Sequence, residues 1–128
     1  MDLKIHADSR GALGAFEQFV NLPFALERVF YMKVDDPGVV RGGHANSGEE
    51  LIVALAGSVF VEVDNGHEKS RVRLHTLDKG LWVRPGVLIY LREFEPQTLL
   101  LVCASERYAE ALHSDRVQPQ WIAAACME

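Results

Sequence analysis

The sequence predicts an all-β barrel or jelly roll with one short C-terminal helix. Short alternating or apolar runs recur along the chain, turn signals separate them, and no repeat or low-complexity segment interrupts the pattern. Roughly nine or ten strands in a chain this size cannot lie in one flat sheet, so they must close on themselves or form two packed sheets. We expect residues 1–128 to form a single domain, with a ligand site where side chains from several strands converge.

The individual strands are predicted by alternation, by β-branched and aromatic residues, and by the turn signals between them. Residues 58–64 alternate, with three valines on one face, and Asn65-Gly66 follows as a strong hairpin signal. The predicted strands are residues 28–34, 51–55, 58–64, 71–77, 81–83, 87–93 and 98–104.

Helix-forming residues are concentrated near the end of the chain. Residues 106–113 contain Glu, Arg, Ala and Leu, which favour a helix. Ser105 precedes them and is a good N-cap residue. We therefore predict the short helix at residues 106–113.

The composition is that of an ordinary globular protein, with 48% hydrophobic and 24% charged residues. This excludes a disordered chain, a collagen-like chain and a coiled coil. The formal net charge is −5 and no basic run occurs, so we expect no nucleic-acid partner. No stretch approaches the roughly 20 apolar residues that span a bilayer, so we expect no membrane partner. The N-terminus lacks the apolar core of a secretory signal, and we expect a cytoplasmic protein.

The most informative stretch runs from Arg41 to Gly57. It resembles the first cupin motif, in which a glycine precedes His-x-His, an acidic residue follows, and a strand closes on glycine. His44 holds the first histidine position, Asn46 stands where the second would be, and Glu50 fits the acidic position. Residues two apart in a strand share a face, so His44 and Asn46 are expected to project together into the barrel.

A metal-binding cupin also needs a histidine after a Pro-containing turn, and residues 80–90 contain none. His44 and Glu50 remain as candidate ligands, whereas a catalytic metal normally has about three protein ligands. We therefore expect no metal and no other cofactor. A metal-dependent cupin, such as a dioxygenase or a phosphosugar isomerase, is the least favoured alternative.

A wider resemblance covers most of the chain. The sequence is similar to the WxcM-like cupin family of sugar-nucleotide 3,4-ketoisomerases, which act on dTDP-4-keto-6-deoxyglucose. The matching pieces occur in the family's order at similar spacings: residues 8–13, 22–24, 28–31, 41–45, 57–58, 80–85 and 104–110.

This resemblance implies a homodimer that binds a dTDP-linked sugar in the barrel mouth and uses a pair of histidines to shuttle a proton. Moving the ketone from C4 to C3 requires a base of near-neutral pKa, and His44 is the candidate. Asn46 is expected to donate a hydrogen bond to the developing enolate oxygen. Tyr31, on the preceding strand, is expected to donate a proton or orient the sugar; a core aromatic residue is the simpler interpretation.

The diphosphate of such a substrate needs cationic donors. Arg41, three residues before His44, is the best candidate, because a guanidinium group binds phosphate bidentately. Arg10 and Arg84 are weaker candidates. In the simpler interpretation, Arg41 pairs with a neighbouring glutamate at the surface and contributes little to stability.

The asparagine at position 46 leaves two functions open. The protein is a metal-independent ketoisomerase with His44 as base, or it is a cupin that binds a sugar nucleotide without catalysis or with an altered reaction. His113 and the remaining histidines carry no motif signal that would decide between them.

Overall fold

The computed structural model describes residues 1–126, and most of their secondary structure is antiparallel strand. In chain order the elements are β1 (Ile5–Asp8), β2 (Gly11–Gly14), β3 (Arg28–Val34), β4 (Arg41–Asn46), β5 (Glu50–Ala56), β6 (Val59–Asp64), β7 (Lys69–Leu74), β8 (Gly80–Val83), β9 (Leu88–Arg92), β10 (Thr98–Ala104), β11 (His113–Ser114) and α1 (Pro119–Cys126). The strands predicted at residues 28–34 and 98–104 have the predicted bounds. The other predicted strands are present with shifted ends.

Two sheets face each other across a shared apolar core. One has the strand order β3-β10-β5-β8 and the other β11-β4-β9-β6-β7, while β1 and β2 form a separate hairpin. The core takes side chains from both sheets, among them Ile52 and Leu100 from the first and Val61 and Leu91 from the second. Full burial of one such side chain contributes about 1.5–3 kcal/mol. The prediction of an all-β fold is confirmed.

Strand β5 is buried on both faces, which explains its continuous apolar run. Ile52 and Ala54 point into the core between the two sheets. Leu51 and Val53 point the other way and pack against the N-terminal segment. A strand covered on both sides has no solvent-facing positions to fill with polar residues. The segment that covers this outer face contributes Leu3, Leu22 and Phe24.

The helix was predicted in the wrong place. Residues after 106 form a turn, in which the Glu110 amide donates to the Arg107 carbonyl at 3.0 Å, and β11 follows. The Ser105 hydroxyl accepts a hydrogen bond from the Glu49 amide at 2.8 Å instead of capping a helix. Helix propensity is a weak guide in so short a segment, and the pairing of β11 with β4 outweighs it. The helix begins instead at Pro119, a residue that suits the first helical turn.

Membrane-spanning helices are not found in the part of the chain that the structure describes: no helix within residues 1–126 is long and apolar enough to cross a bilayer.

Gly57, in the tight connection between β5 and β6, gives a stability prediction. Its φ is +74°, and a Cβ atom there would lie 2.8 Å from the Thr98 Cα. We expect Gly57→Ala to lower the free energy of unfolding by about 2–4 kcal/mol, because left-handed strain adds to a backbone clash. Urea denaturation measures this. Gly14→Ala is the control, since its Cβ would meet only the Ile5 Cγ2 at 3.4 Å; equal losses in both variants would contradict the prediction.

Candidate active site

A cavity of about 610 Å³ opens between the two sheets, on the side where β3 faces β4 and β11. This volume lies in the range of small-molecule sites, roughly 300–1,000 Å³. Its lining residues are Arg28, Phe30, Met32, Arg41, Gly42, His44, Asn46, Glu50, Ile89, Tyr108 and His113. A second concavity of about 420 Å³ lies over β6 and β7, and no imidazole lines it. The first cavity is the candidate active site, because it contains His44 and Arg41, the candidate base and phosphate-binding residue from the sequence.

A β-bulge in β4 brings Arg41 and His44 to the same face. Gly42 pairs with Tyr90 and His44 with Ile89, so Gly43 is an extra residue in β4. Both glycines have positive φ, +84° and +77°, and a Cβ on Gly42 would lie 2.8 Å from the Ile89 carbonyl oxygen. An extra residue shifts the alternation by one position. Arg41, at an odd spacing from His44, therefore lines the same cavity.

A second imidazole lies beside His44. Strand β11 pairs with β4 and places His113 opposite Asn46. The ring centroids of His113 and His44 are 5.6 Å apart, and both rings line the cavity. His113 was not among the residues predicted for the site, because only the register of β11 against β4 reveals its position. A histidine in a two-residue strand carries no local signal.

Both the nitrogen and the oxygen of the Asn46 side-chain amide form hydrogen bonds. Its Nδ2 donates to the Glu50 Oε1 at 2.9 Å, and its Oδ1 lies 2.7 Å from the His113 Nδ1. Because an amide oxygen only accepts hydrogen bonds, the His113 Nδ1 carries the proton in this contact. Glu50 thus uses one of the two hydrogens of the amide nitrogen that was expected to donate to an enolate oxygen.

Glu50 is a buried carboxyl group, with 9% of its surface exposed. Burial raises the pKa of Glu50 above its ordinary value of 4.5, and the charge of Arg28 and the hydrogen bond from Asn46 offset this only in part. Desolvation disfavours the ionised form of a carboxyl group. By accepting the hydrogen bond from Asn46, Glu50 fixes the position of the Asn46 side chain in the cavity wall.

The raised pKa of Glu50 gives a pH prediction. The folded state holds this proton more tightly than the unfolded state, so the contribution to stability is fully present below about pH 4.5 and is lost as pH rises through the folded-state pKa. We expect the free energy of unfolding of Glu50→Gln to fall less over this window than that of the wild type. Urea denaturation across a pH series measures the difference. The control is Glu68→Gln, at an exposed loop position; a Glu50→Gln curve parallel to the wild type would refute the prediction.

Arg28 is a second residue that the sequence analysis did not place in the site. Its guanidinium carbon lies 4.7 Å from the centre of the Phe30 ring and 5.5 Å from that of Tyr108. The Arg28 Nε is buried and has no hydrogen-bond partner in the described chain. A buried donor without a partner is costly unless a ligand satisfies it. Arg28 and Arg41 together make this cavity suited to an anion.

Tyr31 is not brought to the cavity, in contrast to the expectation from the sequence. Phe30 and Met32 on the same strand line it, and residues one apart in a strand face opposite ways. The Tyr31 side chain is accordingly on the outer face and 75% exposed. It is not the core aromatic of the simpler interpretation either. Within the cavity the phenol comes from Tyr108.

Arg10 and Arg84 also lie away from His44. Arg10 sits in the turn of the β1–β2 hairpin and pairs with Asp8 at 2.6 Å. Arg84 follows β8 and lies 3.4 Å from Glu49. Of the three arginines predicted to bind a diphosphate, Arg41 alone lines the cavity. It does so without the surface ion pair of the simpler interpretation, because no carboxylate in residues 1–126 lies within ion-pair distance of it.

Within residues 1–126, no group of three or more His, Cys, Asp or Glu side chains is placed to hold a metal ion. His44 and Glu50, the two ligand candidates from the sequence, share the cavity with His113, but these three side chains are not arranged to hold a metal ion.

Comparison with known proteins identifies the family. The family model described as "FdtA: WxcM-like, C-terminal" matches residues 1–116. The TDP-4-oxo-6-deoxy-alpha-D-glucose-3,4-oxoisomerase of Aneurinibacillus thermoaerophilus is 36% identical over 107 residues, which cover 80% of this chain and 75% of that protein.

Solved structures agree with this assignment. QdtA, a sugar 3,4-ketoisomerase from Thermoanaerobacterium thermosaccharolyticum solved with TDP, is 28% identical with a TM-score of 0.82, covering 98% of this chain and 92% of its own. A histidine-to-asparagine variant of QdtA, also 28% identical with a TM-score of 0.82, holds TDP-4-keto-6-deoxyglucose and covers 99% of this chain and 92% of its own. The RmlC epimerase of Legionella pneumophila, at 18% identity and a TM-score of 0.70 over 84% of this chain and 65% of its own, shares the fold. The chain has a cupin-like fold and belongs to the WxcM-like (FdtA) family of sugar-nucleotide 3,4-ketoisomerases.

Proposed function

We propose that the protein isomerises a TDP-linked 4-keto-6-deoxyhexose by moving the carbonyl group from C4 to C3, with His44 as the base. The observation that carries this proposal is one cavity lined by His44 and by two arginines, Arg28 and Arg41. The oxoisomerase of A. thermoaerophilus supports it by the substrate in its name, and the QdtA complexes support it by the TDP and TDP-keto sugar that they hold.

The reaction needs only proton transfers. The His44 imidazole takes the C3 proton, and the electron pair of the C3–H bond forms a C3–C4 double bond while the C4 carbonyl becomes an oxyanion. One proton then moves from the C3 oxygen to the C4 oxygen. His44 returns its proton to C4 as the C3 carbonyl forms. The sum is an isomerisation that consumes no oxidant or reductant, and general acid–base catalysis of this kind contributes about 10²–10⁴-fold in rate.

The two arginines give the cavity a local charge opposite to that of the whole protein. The formal net charge of the chain is −5, whereas Arg28 and Arg41 face Glu50 as the single carboxyl group of the lining. Because burial raises the pKa of Glu50, its negative charge is disfavoured there. A diphosphate is therefore attracted to this part of the surface, and guanidinium groups bind it with charge-assisted hydrogen bonds.

The direct test is to incubate the protein with TDP-4-keto-6-deoxyglucose in deuterated water and follow the sugar by NMR. We expect a 3-keto product to form, with deuterium at C4 wherever the imidazole proton exchanges with solvent before it is returned. Heat-denatured protein is the blank for spontaneous isomerisation. The absence of a 3-keto product above that blank would overturn the proposed activity.

A non-catalytic sugar-nucleotide binder, or a cupin with an altered reaction, is the second candidate. Asn46 in place of the second motif histidine favours it, because an amide cannot accept and return a proton as imidazole does. Calorimetric titration with TDP that shows binding, together with no turnover in the NMR experiment, would support this alternative. The homodimer expected from the sequence stays a prediction, and sedimentation analysis of the purified protein tests it.

A further inference from the structure

We propose that His113 is a second catalytic residue, which moves the hydroxyl proton between the C3 and C4 oxygens of the sugar. Its imidazole lies opposite Asn46, the position at which the motif would have its second histidine. This proposal rests on the proposed isomerase function and assigns one of its proton transfers to a residue outside the motif. The observations behind it are the register of β11 against β4, the bond between Asn46 and His113, and the distance between two imidazole rings.

The strand register explains how a distant residue reaches this position. His113 is directly opposite Asn46 in an antiparallel pair. Opposite residues share one face of the sheet, with Cβ atoms about 4.5–5.5 Å apart. An imidazole at position 113 therefore reaches the same part of the cavity as an imidazole at position 46. The centroid distance of 5.6 Å to His44 places both rings within reach of neighbouring atoms of one sugar ring.

Asn46 fixes the tautomer of this imidazole. The bond from its Nδ2 to Glu50 orients the amide, so that Oδ1 accepts from the His113 Nδ1. The proton on Nδ1 leaves Nε2 as the basic nitrogen of a ring that lines the cavity. Asn46 is thus a positioning residue for His113, with Glu50 as its support. This positioning role is separate from the role of hydrogen-bond donor to the enolate oxygen that the sequence indicated, because the second Nδ2 hydrogen of Asn46 is not used in it.

The chemistry requires a group in this place. After His44 has taken the C3 proton, the intermediate carries a hydroxyl group on C3 and an oxyanion on C4. The Nε2 of His113 accepts the C3 hydroxyl proton and gives it to the C4 oxygen, and the O–H bond broken at C3 is replaced by one at C4. His44 then protonates C4. Both imidazoles end in the states in which they began, so the step needs no further reactant.

The kinetic test measures kcat and the Kd for TDP in four proteins. They are the wild type, His113→Ala, the double variant Asn46→His/His113→Ala, and His75→Ala as the control. His75 is exposed and does not line the cavity. We expect His113→Ala to lower kcat about 100-fold, with the Kd for TDP within threefold of the wild type. We expect kcat of the double variant to be at least ten times that of His113→Ala, because the histidine at position 46 returns an imidazole to the same face of the sheet. His75→Ala should match the wild type.

A purely structural role for His113 predicts different kcat values for these variants. It predicts that the double variant stays as impaired as His113→Ala, or that kcat in His113→Ala remains within threefold of the wild type, and either result would overturn the proposal. Circular dichroism of each variant checks the fold, and His113→Gln, which keeps a hydrogen bond to Asn46, substitutes if the alanine variant does not fold.

An NMR measurement separates this inference from the proposed function. Long-range proton–nitrogen correlation spectra of the free protein report which imidazole nitrogen carries the proton. We expect the Nδ1–H form for His113 in the wild type and a shift toward the Nε2–H form in Asn46→Ala. An Nε2–H tautomer in the wild type would overturn the role of His113 even if the enzyme is active. A wild type without turnover would overturn the proposed function, whatever the tautomer.

Discussion

We expect the replacement of His44 with glutamine to lower kcat by a factor of about 10²–10⁴, which is the usual contribution of a general base. Glutamine keeps a polar side chain of similar length but cannot take a proton from carbon. His44 is exposed on β4 and belongs to neither buried apolar cluster, so we expect the free energy of unfolding to change by less than about 0.5 kcal/mol. Steady-state kinetics with the TDP-keto sugar measures the loss.

The matched control for this prediction is His67→Gln, in the exposed loop between β6 and β7. Its kcat should equal that of the wild type. The Kd for TDP should stay unchanged in both variants, because in the proposed mechanism His44 acts on the sugar while Arg28 and Arg41 bind the diphosphate. A His44→Gln protein that retains more than a tenth of the wild-type kcat would show that another group removes the C3 proton.

We expect the double variant Arg28→Met/Arg41→Ala to lose TDP affinity by a factor of about 10²–10⁴, since each arginine would supply one charged hydrogen bond. A hydrogen bond to a charged group contributes about 1.5–3 kcal/mol, and about 1.4 kcal/mol corresponds to a factor of ten in Kd. Methionine retains the apolar stem of Arg28 that packs near Phe30, so that the change acts mainly on charge. Calorimetric titration at two salt concentrations gives the Kd and its salt dependence.

The salt dependence should become weaker in the double variant, because fewer charged contacts are screened. Arg73→Ala provides the control, since Arg73 pairs with Glu95 outside the cavity and should bind TDP like the wild type. An unchanged Kd in the double variant would remove both arginines from the phosphate site. It would then favour Arg10 and Arg84, the other two arginines that the sequence indicated.

Local patterns predicted most of the longer strands because each depends on a few neighbouring residues, whereas the short strands β1, β2 and β11 were not predicted. The β-branched and aromatic residues at 28–34 indicate β3, and the Asn65-Gly66 pair indicates the β6–β7 hairpin. In that loop the Asn65 Oδ1 accepts the amides of His67 and Glu68 at 2.9 and 2.8 Å. The same reasoning failed for the helix, since helix-forming residues after Ser105 continue into an edge strand.

The site was only partly predictable, because much of it depends on contacts between distant residues. His44 was identified from a motif, and Arg41 from its closeness to His44 and from its chemistry. The bulge at Gly43 that turns Arg41 toward the cavity required the strand register. His113 reaches Asn46 across 67 residues of sequence, and nothing local marks it. Arg28 appears in the sequence as one more residue of a strand, and only the three-dimensional structure shows its buried, unpartnered nitrogen.

The division of the site between the two sheets has a consequence for the thermal inactivation of the protein. Arg28 and Glu50 belong to the four-stranded sheet, whereas Arg41, His44, Asn46 and His113 belong to the five-stranded one. The proposed phosphate site therefore needs Arg28 from one sheet and Arg41 from the other, and the contact that positions Asn46 joins it to Glu50 on the opposite sheet. We expect a separation of the two sheets to abolish nucleotide binding and turnover together. Loss of activity on heating and loss of tertiary structure should then occur in a single transition. No partially unfolded state that binds TDP without catalytic activity should be populated.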